Sequence, residues 1–278
     1  MTFISYAQNF EDVRLWRAFR ELEDGFYIDI GANDPNHDSV TKAFYDHGWQ
    51  GVNVEPIQNY HDALCQQRPR DTTLQCIASD APGEVTFYSI PDSGLSTADP
   101  QVAQERKDAG FEVQRLTVNA RTLTSICEEH AADRAIHFLK IDVEGHEETV
   151  LRGMDFSRFR PWIIVIETPW QRDHTWEHLV TDAGYQPILF DGLNTWFLAD
   201  EHMNLKPAFD IPPCNLDNFQ LCRGHAFAHP IDVAEPDTVQ QLANALQRAE
   251  QAENQLRTLQ NSRTVRAVQK LHKMLRRA

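Results

Sequence analysis

From Gly25 to Ala199 the chain alternates short apolar runs with polar stretches of helical pattern. That rhythm leaves little choice of architecture: the runs read as strands and the stretches between them as crossover helices, an α/β fold built on a parallel sheet. Residues 26–31, 52–55, 74–79, 137–143 and 162–168 are the expected strands. Two later runs, 186–190 and 195–199, are joined by Asp191-Gly192-Leu193-Asn194, a turn-rich link that predicts a terminal antiparallel hairpin. Residues 83–90 add a further candidate strand, and Asp92-Ser93-Gly94-Leu95-Ser96 reads as a loop.

Composition narrows the class. With 278 residues, 41% hydrophobic and 24% charged, the chain can bury a core without a metal or a disulfide framework. Its five cysteines are scattered, form no Cys-x-x-Cys pair and fit a reducing compartment. The first ten residues lack a basic start followed by an apolar run, and nothing approaches a membrane span, so a cytoplasmic protein is expected. The net charge of −15 is unevenly spread: residues 240–278 hold eight Lys/Arg and two Glu, about +6, against about −21 for the rest. An acidic body repels phosphate backbones, which argues against nucleic acid as a substrate.

In an open parallel sheet, ligands bind beyond the carboxyl ends of the strands, where the strand order reverses. Phe26-Tyr27-Ile28-Asp29-Ile30-Gly31-Ala32-Asn33 is a buried run ending in an acidic residue and a glycine, so Asp29, Gly31 and Asn33 are candidate cofactor residues. The full Gly-x-Gly-x-x-Gly fingerprint is absent, which disfavours a pyrophosphate ligand such as NAD. Glu55, at the end of the second strand, is placed to bind both hydroxyls of a ribose. Asp80, past the third strand, is either an acceptor for an adenine amino group or part of a plain Ser-Asp-Ala-Pro-Gly turn.

These residues resemble the FkbM-type methyltransferases. The likeness is carried by Tyr6 to Asp12, Asp29 to Asn33, Gly48 to Pro56 and, most specifically, Leu139-Lys140-Ile141-Asp142-Val143-Glu144-Gly145-His146-Glu147, and it covers about residues 3–220. It implies a class I, Rossmann-like, doubly wound and mostly parallel seven-stranded sheet, whose antiparallel terminal hairpin separates it from dehydrogenases. It also implies S-adenosylmethionine as donor and O-methylation, often of sugars in polysaccharides, glycolipids or natural products. A methyltransferase domain over 1–236 is then expected, with the proline-rich 200–236 wrapping it in extended form, followed by a helical tail over 237–278.

A sugar hydroxyl needs help to lose its proton, and the fourth strand delivers Asp142, His146 and Glu147 as candidate catalytic residues. Asp142 is the first choice and also a cofactor candidate; His146 has the intrinsic pKa of a base, and Glu147 either orients it or starts the next helix. Glu167 ends the fifth strand, and Asp142 with Glu167 could hold a divalent metal, bind substrate hydroxyls or bind the cofactor's amino group. Ser93 to Ser96 border an acceptor pocket or form a surface turn, and His174 lies in the loop after the fifth strand.

Between Arg263 and Arg277 six Lys/Arg occur without an acidic residue, opposite Val265, Val268, Leu271 and Leu275 on a helical wheel. This is the pattern of a basic amphipathic helix, suited either to an anionic membrane face or to another protein surface through 239–278. The expected function is therefore O-methylation of a hydroxyl-bearing glycan, lipid-linked glycan or glycosylated metabolite, at or near the cytoplasmic membrane face. Its rivals are a nicotinamide-dependent oxidoreductase and a non-catalytic, membrane-recruited scaffold.

Overall fold

The computed structural model describes residues 2–91, 93–168 and 175–228. Expectations for His174 and for the tail over 237–278 fall outside the described residues. In chain order the elements begin with β1 (Phe3–Ser5), α1 (Glu11–Phe19), β2 (Phe26–Ile30), α2 (Lys42–Asp46), β3 (Gln50–Val54), α3 (Gln58–Gln67) and β4 (Thr72–Leu74). A middle section holds β5 (Ile77–Ser79), β6 (Gly83–Ser89), α4 (Pro100–Asp108), β7 (Gln114–Thr122) and α5 (Leu123–His130). The last section holds β8 (Phe138–Ile141), α6 (Glu147–Arg152), β9 (Ile163–Glu167), α7 (Glu177–Thr181), β10 (Tyr185–Phe190), β11 (Asn194–Ala199) and β12 (Phe219–Leu221).

Seven strands form the central sheet in the order β10-β11-β9-β8-β2-β3-β4. Only β11 runs antiparallel to its neighbours, as the hairpin expectation required. Successive side chains of each strand enter opposite layers. Ile28, Ile30, Leu139, Ile141, Ile164 and Ile166 join a core with Leu123, Ile126, Val150 and Val180 from α5, α6 and α7. Tyr27, Phe138, Ile163, Val165, Trp196 and Leu198 join a second core with Leu15, Phe19 and Phe44 from α1 and α2. Both faces are covered, which is why β2, β8 and β11 are buried at every residue and are mainly apolar, with Asp29, Lys140, Asn194 and Thr195 as their polar members.

Two expectations need correction, and one strand was missed. Residues 74–79 are not one strand: β4 ends at Leu74 and pairs with β3, while β5 begins at Ile77 and joins β7 and β6 in a separate three-stranded sheet. Apolar continuity hid the bend at Gln75 and Cys76, because Cys76 and Ala78 still face the main core. Segment 200–228 is not extended throughout, since Asp200–Phe209 forms 3-10 turns. Its first proline is Pro207, so nothing restrained residues 200–206 to an extended path. Finally, β7 was not foreseen at all; most of it is solvent-exposed, without an apolar run to mark it.

Further on, β12 pairs in parallel with β1 and brings 219–221 beside 3–5. No described helix is long and apolar enough to cross a membrane.

Candidate functional site

The strand order reverses between β2 and β8: the chain leaves β2 outward through β3 and β4, then returns to build β8 on the other side. A cavity of about 450 Å³ opens at the carboxyl ends of these strands, where an open α/β sheet places its ligands.

The β2 end shapes its floor. Gly31 has a φ of +81°, and a Cβ there would stand 1.9 Å from the Asp142 carbonyl oxygen, so glycine is required on two counts. The Gly31 and Ala32 amides both donate to the Val54 carbonyl, at 3.0 and 3.2 Å. Glu55 then ties the two loops together: one carboxylate oxygen accepts from the Asn33 amide at 2.9 Å and the other from the Ile57 amide at 2.7 Å. Burial pushes the Glu55 carboxyl up to about 7. Beside it, the buried Asn33 Oδ1 has no hydrogen-bond partner among the described residues, an acceptor suited to a polar group. Ile57, Ile77, Ala78, Phe87 and Ala98 line the adjacent wall and make it an apolar slot.

The opposite end is acidic. The Lys140 ammonium donates to Asp142 Oδ2 at 3.0 Å and to the Gly31 carbonyl at 3.3 Å, and lies 3.7 Å from Asp29 Oδ1. Burial works to lower Lys140, but Asp142 and Asp29 outweigh it and hold the ammonium charged. Burial likewise works to raise Asp142, yet the Lys140 charge and hydrogen bonds from Glu167 and Lys140 hold that carboxyl below its usual value. Glu167, partly buried and repelled by the ionised Asp142, is pushed up to about 10 and stays protonated. Glu144, in a left-handed turn at φ 53°, brings a third carboxyl, and ligand oxygens of Asp142, Glu144 and Glu167 lie within 4.8 Å of one another. Arg106 of α4 pairs with Glu144 at 3.1 Å. His146 also lines the cavity; burial lowers its pKa, so the imidazole is neutral at pH 7, and its buried Nε2 has no hydrogen-bond partner among the described residues.

Of the residues expected from the sequence, Gly31, Asn33, Glu55, Asp142, His146 and Glu167 meet at this cavity, with Ser93 to Ser96 on its wall. Three others do not line it. Asp29 is buried beneath the floor, where its Oδ2 accepts from Thr41 Oγ1 at 2.9 Å. Asp80 is exposed and accepts from Ser79 Oγ at 3.3 Å, the plain-turn alternative. Glu147 opens α6 and accepts from the Gly145 amide at 2.9 Å, a helix-start position.

His37, which the sequence offers as either a carbohydrate-pocket imidazole or ordinary packing, lines the cavity, as does Gln8, to which the sequence gave no role. Gln8 sits in a loop folded around Asp12, which accepts from Ser5 Oγ and from the Tyr6, Ala7 and Val13 amides. The only signal for it was its place in the Tyr6 to Asp12 stretch.

An open α/β sheet with a cavity at its switch point, a buried carboxylate between two loops and an acid-base cluster opposite defines a ligand-binding domain of the doubly covered α/β class. The chain belongs to the methyltransferase FkbM domain family, whose model matches residues 29–187, more than half of its length. No curated protein matches it. Similar solved structures include a TehB-like SAM-dependent methyltransferase from Corynebacterium glutamicum, with a TM-score of 0.38 and 9% identity over 68% of this chain and 87% of that one. Another is a precorrin-6y C5,15-methyltransferase from Geobacter metallireducens, with a TM-score of 0.33 and 11% identity over 68% of this chain and 85% of that one.

Proposed function

We propose that this chain is a class I, S-adenosylmethionine-dependent O-methyltransferase acting on a hydroxyl of a glycan or other sugar-bearing acceptor. The observation that carries the reading is one cavity with two chemically different ends. At one end Glu55 stands beside an apolar slot, a pairing suited to a ribose diol and the adenine next to it. Asn33 Oδ1, buried and without a hydrogen-bond partner among the described residues, supplies a further acceptor for the cofactor's polar groups. When bound, S-adenosylmethionine supplies an electrophilic methyl group on a cationic sulfonium.

At the other end the protein's task is to orient a hydroxyl and remove its proton. Neutral His146 accepts that proton on its free Nε2, and ionised Asp142 holds the hydroxyl by accepting its hydrogen bond or that of a neighbouring hydroxyl. Protonated Glu167 donates toward Asp142 and keeps it turned to the cavity. The sheet order, with β11 as its single antiparallel strand, supports the class I assignment.

The test is transfer of labelled methyl from S-adenosylmethionine into glycan and lipid-glycan fractions of the source cell, with and without EDTA. Label in a glycan supports the acceptor class. Loss of transfer in EDTA, restored by Mg²⁺, would assign a divalent cation to Asp142, Glu144 and Glu167; transfer indifferent to EDTA leaves those carboxyls to the substrate. Calorimetric binding of NAD without binding of S-adenosylhomocysteine would replace the reading with a nicotinamide-dependent oxidoreductase, and binding of neither would favour a scaffold.

A further inference from the structure

Beneath the cavity floor runs a buried file of polar groups that the proposed chemistry does not use. Arg68, 1% exposed, donates to Thr41 Oγ1 at 2.8 Å and to Ser39 Oγ at 2.6 Å. Thr41 donates to Asp29 Oδ2, the other oxygen of Asp29 lies 3.7 Å from Lys140, and Lys140 reaches both Asp142 and the Gly31 carbonyl. Asp29 and Lys140 are neighbours in register on β2 and β8. Lone buried charges are costly, and a file of alternating sign that ends on two cavity-forming turns has a use beyond filling space.

We propose that Lys140 is a positioning residue: its ammonium locks the Gly31 turn and the Asp142 carboxylate into one rigid piece, with Asp29, Thr41 and Arg68 holding the ammonium from behind. This rests on the methyltransferase reading for its kinetic consequence but not for its structural one. Gly31 belongs to the cofactor loop and Asp142 to the reacting end, so one side chain sets the spacing between donor and acceptor. Small errors in that spacing lower the rate more than they lower binding. The titratable groups facing Lys140 are Asp29 from β2, Asp142 from its own strand's end, Glu55 from the end of β3 and the protonated Glu167 from β9.

The variants are Lys140→Met, which strands Asp29 and takes from Asp142 its nearest cation, and Lys140→Met with Asp29→Asn, which removes the more deeply buried of the two carboxylates. The double variant should melt within a few degrees of wild type. In the ligand-free double variant, amide hydrogen exchange at residues 31–33 and 142–145 should be at least tenfold faster than in wild type, while exchange in β9 is unchanged. Methyl transfer at saturating substrates should fall at least a hundredfold, with the acceptor KM altered less than threefold. Unchanged exchange at both turns, or wild-type kcat in the double variant, overturns the proposal. If wild type binds no S-adenosylhomocysteine, the methyltransferase reading fails, and the exchange measurement still decides the role of Lys140.

Discussion

Replacing Glu55 by Gln separates what this residue does for the fold from what it does for the ligand. A rise of the Glu55 carboxyl from 4.5 to about 7, at about 1.4 kcal/mol per pH unit, corresponds to roughly 3 kcal/mol. Because the folded state holds the proton more tightly than the unfolded chain, this contribution favours folding below about pH 4.5 and is lost as pH rises through about 7. Above that, ionised Glu55 is a standing cost. Glutamine carries no such cost, but its amide cannot accept from both the Asn33 and Ile57 amides, and one lost acceptor costs about 1–3 kcal/mol. The two effects nearly cancel, so the melting temperature at pH 8 should move by only a few degrees.

Ligand binding should not be spared. Two ribose hydroxyls donating to a carboxylate gain about 1.5–3 kcal/mol per bond, and the loss of one such bond weakens affinity roughly ten- to a hundredfold. Calorimetry with S-adenosylhomocysteine from pH 5.5 to pH 8 reads both effects. Wild-type affinity should rise with pH as Glu55 ionises near 7, whereas Glu55→Gln should bind weakly and without that slope. Equal affinities at pH 8, or the same slope in both proteins, would refute the assignment of Glu55 to the ligand.

Three further outcomes are expected. His146→Gln should lower kcat/KM by about 10²–10⁴, and the acid limb of the wild-type pH–rate profile should have its midpoint below the ordinary histidine value of about 6.5, because burial disfavours the imidazolium. Phe138→Ala, which empties a fully buried site between Tyr27, Phe44 and Trp49, should cost about 3–5 kcal/mol in urea unfolding while leaving the cavity residues in place. Removing residues 262–278 should abolish co-sedimentation with anionic vesicles if the basic tail is a membrane tether; unchanged co-sedimentation assigns the tail to a protein partner.

What could be read from the sequence follows from what each residue had to do. Strands buried on both faces are mostly apolar, so β2, β8, β9 and β11 announced themselves despite Asp29, Lys140, Glu167 and Asn194 within them. By contrast, β7 lies mostly at the surface and carries Gln, Arg, Thr and Asn along its length, a composition that a loop could share. Gly31 and Glu55 were legible because a glycine and a carboxylate at the ends of neighbouring strands stand out against the apolar runs before them. Lys140 was visible as a charge in a strand, but its partners come from β2 and from its own strand's end, and no spacing along one strand reveals a neighbour in another. Glu147 illustrates the converse: its sequence position fits either orienting His146 or starting the next helix, and it stands at the start of α6, where it accepts from the Gly145 amide.

The inverted strand β11 also bears on how this protein can be cut. Antiparallel β11 contributes its beginning, not its end, to the cavity side: Asn194 lies opposite Glu167 in the register, and Thr168 hydrogen-bonds Thr195. Asn194 also donates to Glu11 at 2.7 Å and so braces the loop that presents Gln8. A fragment trimmed to the family match at residues 29–187 would lose Glu11, Asn194 and the whole of β11. The open edge of β9 would then be left as a ladder of unpaired amides and carbonyls, a template for aggregation rather than a minimal enzyme.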